Sequence, residues 1–177
     1  MKNKLKICFA ATVDTAITSF LANHLRELSK LYELTIITNT SNPYLLSEIG
    51  VDANLIQIKF SRRIALFSHF YCLLKLVQIF MKNRFVSIHS ITPKAGLLAM
   101  AAARICFIPL RVHTFTGQVW ATDTGLKRSF LKFLDKLIGK ITTHNFVDSQ
   151  SQRNFLVKEA VLSPNKSLVF GKSFGKI

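Results

Sequence analysis

Residues 113 to 125 read HTFTGQVWATDTG and crowd an imidazole (His113), the hydroxyls of Thr114, Thr116, Thr122 and Thr124, the carboxylate of Asp123 and the chain's single tryptophan, Trp120, between two apolar segments. Four other short stretches carry the same kind of chemistry: ATVDT (11 to 15), TNTSNP (38 to 43), HSITPKAG (89 to 96) and VDSQSQRNFL (147 to 156). An imidazole can donate or accept a hydrogen bond or a proton, and hydroxyls on this scale suit a hydroxylated ligand such as a sugar. Chemistry by other routes finds no support, since GxSxG, P-loop, HExxH, GxGxxG and CxxC patterns are all missing from the sequence.

Each polar stretch follows a short apolar run. Seven such runs read as strands: 5 to 11, 33 to 38, 54 to 60, 85 to 90, 110 to 115, 143 to 149 and 167 to 171. Near-continuous apolar runs of this length suit strands covered on both faces, and hence a parallel sheet. Between them, spacing at threes and fours predicts helices over 15 to 32, 62 to 84, 94 to 107, 126 to 141 and 149 to 161. In the first, Ile17, Phe20, Leu21, Leu25, Leu28 and Leu31 form the stripe expected to meet the core. The alternation predicts one α/β domain over 1 to 177: a Rossmann-like, doubly wound parallel sheet with helices on both faces, whose ligands sit at the carboxyl ends of the strands. All five polar stretches would then lie along one edge and line a cleft, with the ring of His113 emerging into it.

The chain carries 24 Lys and Arg against 9 Asp and Glu, a formal charge of +15, so the expected partner is anionic. No helix-turn-helix, RNP-like or zinc-finger pattern accompanies the charge, and nucleic acid is not the expected partner. An anionic membrane surface fits better. In 126 to 141, Leu126, Phe130, Phe133, Leu134, Leu137 and Ile141 share one face while Lys127, Arg128, Lys132, Lys136 and Lys140 crowd the other. That pattern reads either as an ordinary surface helix with a solvated basic side or as a helix drawn to lipid headgroups, at about 1 kcal/mol per basic residue near the surface. The stretch 64 to 81 is nearly long enough to span a bilayer, but His69, Lys75 and Gln78 interrupt it. Each such group at a bilayer centre costs about 1 to 3 kcal/mol or more, so a helix packed on the sheet is expected, flanked by Arg62, Arg63, Lys82 and Arg84 with one margin at a lipid surface. Cys8, Cys72 and Cys106 are far apart in apolar surroundings and read as free thiols of a reducing compartment. The opening MKNKLKICFAATV reads as the first strand rather than a signal peptide, because its apolar run is short and Asp14 follows.

The segments SIHSITPKAGLLAMAAARICFIPLRVHTFTGQVWAT and GLKRSFLKFLDKLIGKITTHNFVDSQSQRNFL resemble the N-terminal, acceptor-side domain of family 4-like GT-B glycosyltransferases that build bacterial surface polysaccharides such as capsule and lipopolysaccharide. The resemblance is strongest from about 85 to 160. It implies a retaining transfer of a sugar from a nucleotide-sugar to a saccharide or lipid-linked acceptor at the cytoplasmic membrane face, with no metal and no other cofactor. Carried over by motif, His113 falls where the family places a catalytic histidine beside the donor sugar, and Thr114 to Gly117, Thr116 included, form the adjoining substrate-binding turn. Lys94 opens a helix beside the cleft, where its ammonium and the helix N-terminus would meet an acceptor phosphate, or where it is simply solvated. Gly96 would allow close approach of that helix, and Gly117 a tight turn. Asp148 and Ser149 read as a helix N-cap, the preferred reading, or as a cleft wall. Trp120 would stack on a sugar or anchor its loop in the core.

Two departures bear on these expectations. The first loop, AATVDTAITSF, lacks the glycine pair common in relatives, which counts against a tight phosphate approach at Thr12, a further candidate contact. The sequence ends at SLVFGKSFGKI, where relatives pass into a second domain that grips the nucleotide-sugar through paired glutamates, and no E-x7-E spacing occurs. The expectation is therefore an acceptor-side half, inactive alone, whose partners include a separate C-terminal half. The alternative is a non-catalytic module that binds a membrane surface or a partner.

Overall fold

In a computed structural model of the chain, residues 4–60 and 66–170 are described. Seven strands, β1 (Lys6–Ala11), β2 (Glu33–Thr38), β3 (Ala53–Gln57), β4 (Ser87–Ile91), β5 (Leu110–Phe115), β6 (His144–Val147) and β7 (Ser167–Val169), form one sheet in the order β3-β2-β1-β4-β5-β6-β7. Every adjacent pair is parallel. The order reverses between β1 and β4, which makes their carboxyl ends the topological switch point where open α/β sheets take ligands.

The helices are α1 (Asp14–Ala16), which passes through a π turn at Ile17–Leu21 into α2 (Ala22–Leu31), then α3 (Leu45–Glu48), α4 (Leu66–Asn83), α5 (Pro93–Ile105), α6 (Gly125–Ile141) and α7 (Gln150–Lys158). One core lies between the sheet and α4 to α7, built on Leu76, Phe80, Ala99, Met100, Ile138 and Leu156. The other lies under α1, α2 and α3 and is built on Phe9, Ile17, Leu25, Leu34, Ile36 and Leu46. Helix α5 rests flush on the sheet because Ala95, Gly96, Ala99, Ala102 and Ala103 all face inward. Among the described residues no helix is long and apolar enough to cross a membrane.

Two helix faces differ from expectation. Phe20 and Leu31 are exposed, at 64% and 67%, because the buried stripe runs through Ile17, Leu21 and Leu25 and the π turn gives Phe20 no place in it. In α6 the face toward the core carries Asp135, Ile138 and Gly139, while Leu126, Phe130 and Phe133 point to solvent. The expected helix over 62 to 84 is seen from residue 66; residues 62 to 65, with Arg62 and Arg63, lie outside the described residues, as does Gly171 at the end of the expected last strand. All three cysteines are unpaired thiols.

Candidate functional site

At the switch point, Thr12 closes the end of β1 against Thr92 at the end of β4. The Thr12 amide donates to Thr92 Oγ1 at 3.0 Å, the two Oγ1 atoms are 2.7 Å apart, and Thr12 Oγ1 accepts from the Ala95 amide at 3.2 Å. Helix α5 is thus capped from a different strand, since Thr92 itself makes no side-chain cap. Thr92 sits at φ +79°, a conformation that costs a residue with a branched side chain about 1 to 3 kcal/mol and is held by these bonds. The amide that a glycine-rich loop would turn toward a phosphate is already bonded, in keeping with the missing glycine pair.

His113 does not emerge into a crevice, which corrects the expectation for its ring. It sits mid-strand in β5 on the α5 side, 1% exposed, with Nδ1 2.8 Å from Ser90 Oγ and the Phe115 ring edge-on at 4.5 Å. Gly96 lies directly over it: a Cβ there would stand 2.4 Å from the imidazole Cε1. Burial, with a smaller push from His89, drives its pKa down to about 3 against an opposing contribution from Ser90, so the ring is neutral. Strand alternation turns Thr114 to the opposite face, where its Oγ1 is 2.8 Å from His89 Nε2 and the side chain is buried, away from the strand edge. The His89 pKa is likewise pushed down to about 3, by burial first and then by His24.

The chain leaves the sheet at half-buried Thr116 and turns at Gly117, whose φ of +123° no branched residue adopts readily. Trp120 then dives inward. Its ring is 1% exposed, stacks on Phe155 at 5.3 Å, lies under the Arg128 guanidinium at 5.2 Å, and donates through Nε1 to Asp135 Oδ2 at 2.7 Å. The indole therefore anchors the loop and is not presented to a sugar. Burial raises the Asp135 pKa while the indole hydrogen bond opposes the rise. Gln152 ties the next loop to this one, donating to the Phe115 carbonyl at 3.1 Å and accepting from the Asp148 amide at 2.7 Å. Ser149 caps α7 by accepting from the Gln152 amide at 3.2 Å; exposed Asp148 stands beside it with its pKa raised by desolvation.

Lys94, the second residue of α5, lines an apolar slot together with His69, Leu97, Val119, Trp120, Leu134 and Ile138; its ammonium pKa is lowered by desolvation. The basic residues of α6 do not act as one free stripe. Arg128 and Lys132 converge on Glu159 at 3.0 and 2.6 Å, and Lys127 pairs with Asp123 at 2.9 Å, leaving Lys136 and Lys140 exposed with no ion pair among the described residues. Lys132, more than Arg128, holds the Glu159 carboxyl below the usual carboxylate range.

The sequence reading missed a polar pocket of about 380 Å³ at the ends of β2 and β3, lined by Asn39, Thr40, Gln57, Lys59, Ser68, Tyr71 and Lys75. Thr40 there donates to Asp14 Oδ2 at 2.9 Å, which fixes the loop after β2 to α1. Amides, hydroxyls and two ammonium groups suit a saccharide carrying negative charge. Only TNTSNP pointed to it; the other side chains come from the end of an edge strand and from a mainly apolar helix whose Lys75 reads in sequence only as an interruption of an apolar run. Among the described residues no group of three or more His, Cys, Asp or Glu is placed to hold a metal ion.

An all-parallel sheet of this order with helices on both faces is a Rossmann-like lobe, one half of the GT-B architecture. Solved structures of similar fold include UDP-N-acetylglucosamine 2-epimerase from Rickettsia bellii (TM-score 0.72, 16% identity, 94% of this chain and 44% of that one). Anabaena Alr3699/HepE, solved with UDP and glucose, is another (TM-score 0.67, 11% identity, 93% and 43%). The chain belongs to the glycosyl transferase 4-like family, whose sequence profile matches residues 6–147. It is 33% identical over 171 residues to the capsular polysaccharide biosynthesis glycosyltransferase CapM of Staphylococcus aureus, covering 97% of this chain and 44% of CapM. It is 26% identical over 106 residues to the UDP-Gal:alpha-D-GlcNAc-diphosphoundecaprenol alpha-1,3-galactosyltransferase of Escherichia coli, covering 59% of this chain and 27% of that enzyme. The chain thus spans less than half the length of these relatives.

Proposed function

We propose that the chain is the acceptor-side half of a retaining glycosyltransferase that moves a sugar from a nucleotide-sugar to a lipid-linked precursor of a surface polysaccharide, at the cytoplasmic face of the membrane and without a metal ion. The observation that carries this reading is the polar pocket of Asn39, Thr40, Lys59 and Lys75, which opens beside the switch point on the same strand edge as Thr12 and Lys94 in a chain of this family. Ammonium groups would meet acceptor phosphates, and amides and hydroxyls would orient the attacking sugar hydroxyl. Transfer needs a second lobe to hold the nucleotide-sugar, because a donor that is neither positioned nor shielded from water gains little from one wall. In this reading His113 acts through the helix it seats, α5, which carries Lys94 to the strand edge.

Titrating the isotope-labelled chain with a short-chain, water-soluble lipid diphosphate saccharide, and separately with UDP-sugars, tests it. Saturable shifts of the Thr12, Thr40 and Lys75 amides with the saccharide alone are expected; shifts with UDP-sugars alone would overturn the acceptor assignment. Saccharide binding that yields no transfer when a nucleotide-sugar-binding lobe of a relative is supplied would favour the non-catalytic module.

A further inference from the structure

The core under α1, α2 and α3 takes in β1, β2 and β3 and, from β4, only Ile91. Farther along the sheet the same face stays open. Strand alternation puts Ser87, His89, Leu110, Val112, Phe146 and Leu168 on it, and Leu110 and Leu168 are 40% and 41% exposed. A hollow of about 520 Å³ runs over this floor, and among the described residues the only helix beside it is α2, which walls it with His24 and Leu28, continued by Tyr32. Phe170 closes one end, edge-on to Phe146 at 5.5 Å and to His24 at 6.1 Å.

An all-parallel sheet is covered on both faces, so a mainly apolar half-face left open marks a docking surface. Its dimensions choose the occupant. From β4 to β7 is three strand spacings, about 14 Å, and a helix with its side chains is about 10 to 12 Å across. The wall agrees: His24, Leu28 and Leu31 recur at intervals of four and three, and Leu31 is 67% exposed, which is the seam that a neighbouring helix meets. The sheet of a second copy could not reach the floor, because α2 stands a helix diameter above it and turns Arg26, Glu27 and Lys30 to solvent. More than half of CapM lies outside its match to this chain, which spans 44% of it, and that remainder is the source of candidate helices. No carboxylate lines the hollow among the described residues, and the Lys4 ammonium, donating to the Ser29 carbonyl at 3.0 Å, stands at its mouth in a chain of charge +15. Complementarity then asks for acidic margins on the occupant.

We propose that the open face of β4 to β7 receives one amphipathic helix laid beside α2, apolar toward Val112, Phe146 and Leu168 and acidic at its margins, supplied by the part of the relatives' length that this chain does not span. The proposal rests on the glycosyltransferase reading in drawing that helix from the second lobe. Its test contains no saccharide and reads a face away from the strand-edge pocket, so the two readings can fail separately.

The test titrates the full chain, methyl-labelled, with synthetic peptides that span each amphipathic segment of CapM outside its match to this chain. One peptide with acidic margins is expected to bind saturably at one to one, to gain helical circular dichroism on binding, and to shift the methyls of Leu28, Val112 and Leu168. The combined variant L31S/L110S/L168S, whose three side chains are all partly in water, should keep the wild-type circular dichroism and weaken that binding about tenfold or more, given what burying one leucine contributes. Absence of binding by every peptide, binding that moves other methyls, binding without a gain of helix, or unchanged affinity in the folded variant would each overturn the proposal. So would a dimer of the free chain in sedimentation velocity that the same three substitutions abolish, which would give the face to a second copy.

Discussion

Gly96 of α5 sits on the imidazole of His113 with no room for a methyl group, the clash at Cε1 being 2.4 Å. The helix approaches the sheet this closely because its inward face is alanine and glycine, and the ring fills the space that remains.

Gly96→Ala should therefore destabilise the fold by about 1 to 3 kcal/mol, as overpacking does. In urea melts, combining it with His113→Ala should restore part of the loss, because the ring that the new methyl strikes is gone. A double-mutant coupling close to zero would contradict the contact.

Thr12→Val removes the acceptor that caps the Ala95 amide. The expected cost is about 1 kcal/mol in global stability, as for loss of an N-cap. Amide hydrogen exchange should show faster exchange at Ala95, with Thr12→Ser close to wild type. An unchanged Ala95 rate in the valine variant would rule the cap out.

Acid should destabilise the chain early. The His89 and His113 pKa values lie near 3 in the fold against an ordinary value of 6.5, so below about pH 6.5 the unfolded chain takes up protons that the folded chain refuses. Stability is full above that value and falls toward pH 3, by about 1.4 kcal/mol per pH unit for each ring. His89→Asn should make the slope of the urea midpoint against pH shallower; equal slopes would show that the imidazole is not the proton acceptor.

Trp120→Phe leaves the Asp135 carboxylate, 4% exposed, without its indole donor. A loss of about 1 to 3 kcal/mol is expected, and Asp135→Asn in the same chain should recover part of it. Thermal melts followed by circular dichroism measure both.

The strands were legible because a parallel sheet buries both faces: β2 and β5 lie at 33–38 and 110–115 as the apolar runs predict, while the order of the strands in the sheet is not written in the alternation. Helix ends were less so. Predicted ends at 84, 107 and 161 overshoot, because α4, α5 and α7 stop on Arg84, Phe107 and Ala160 in the left-handed conformation, and a chain with seven glycines offers none at those places to mark the stop. The site was legible as an edge, not as contacts. Periodicity put α6 on the surface but could not say which of its apolar sides meets the core, since Leu131 and Ile138 compete with Phe130 and Phe133. A histidine within a strand carries no mark of which face its ring takes; one residue of register moves it from the α5 side of the sheet to the other, and here both are buried.

The indole clamped between Phe155 and Arg128 has a mechanical consequence. With that plug seated, the 116 to 124 segment is a fixed post and not a flap, so any closure over this edge has to come from outside that segment.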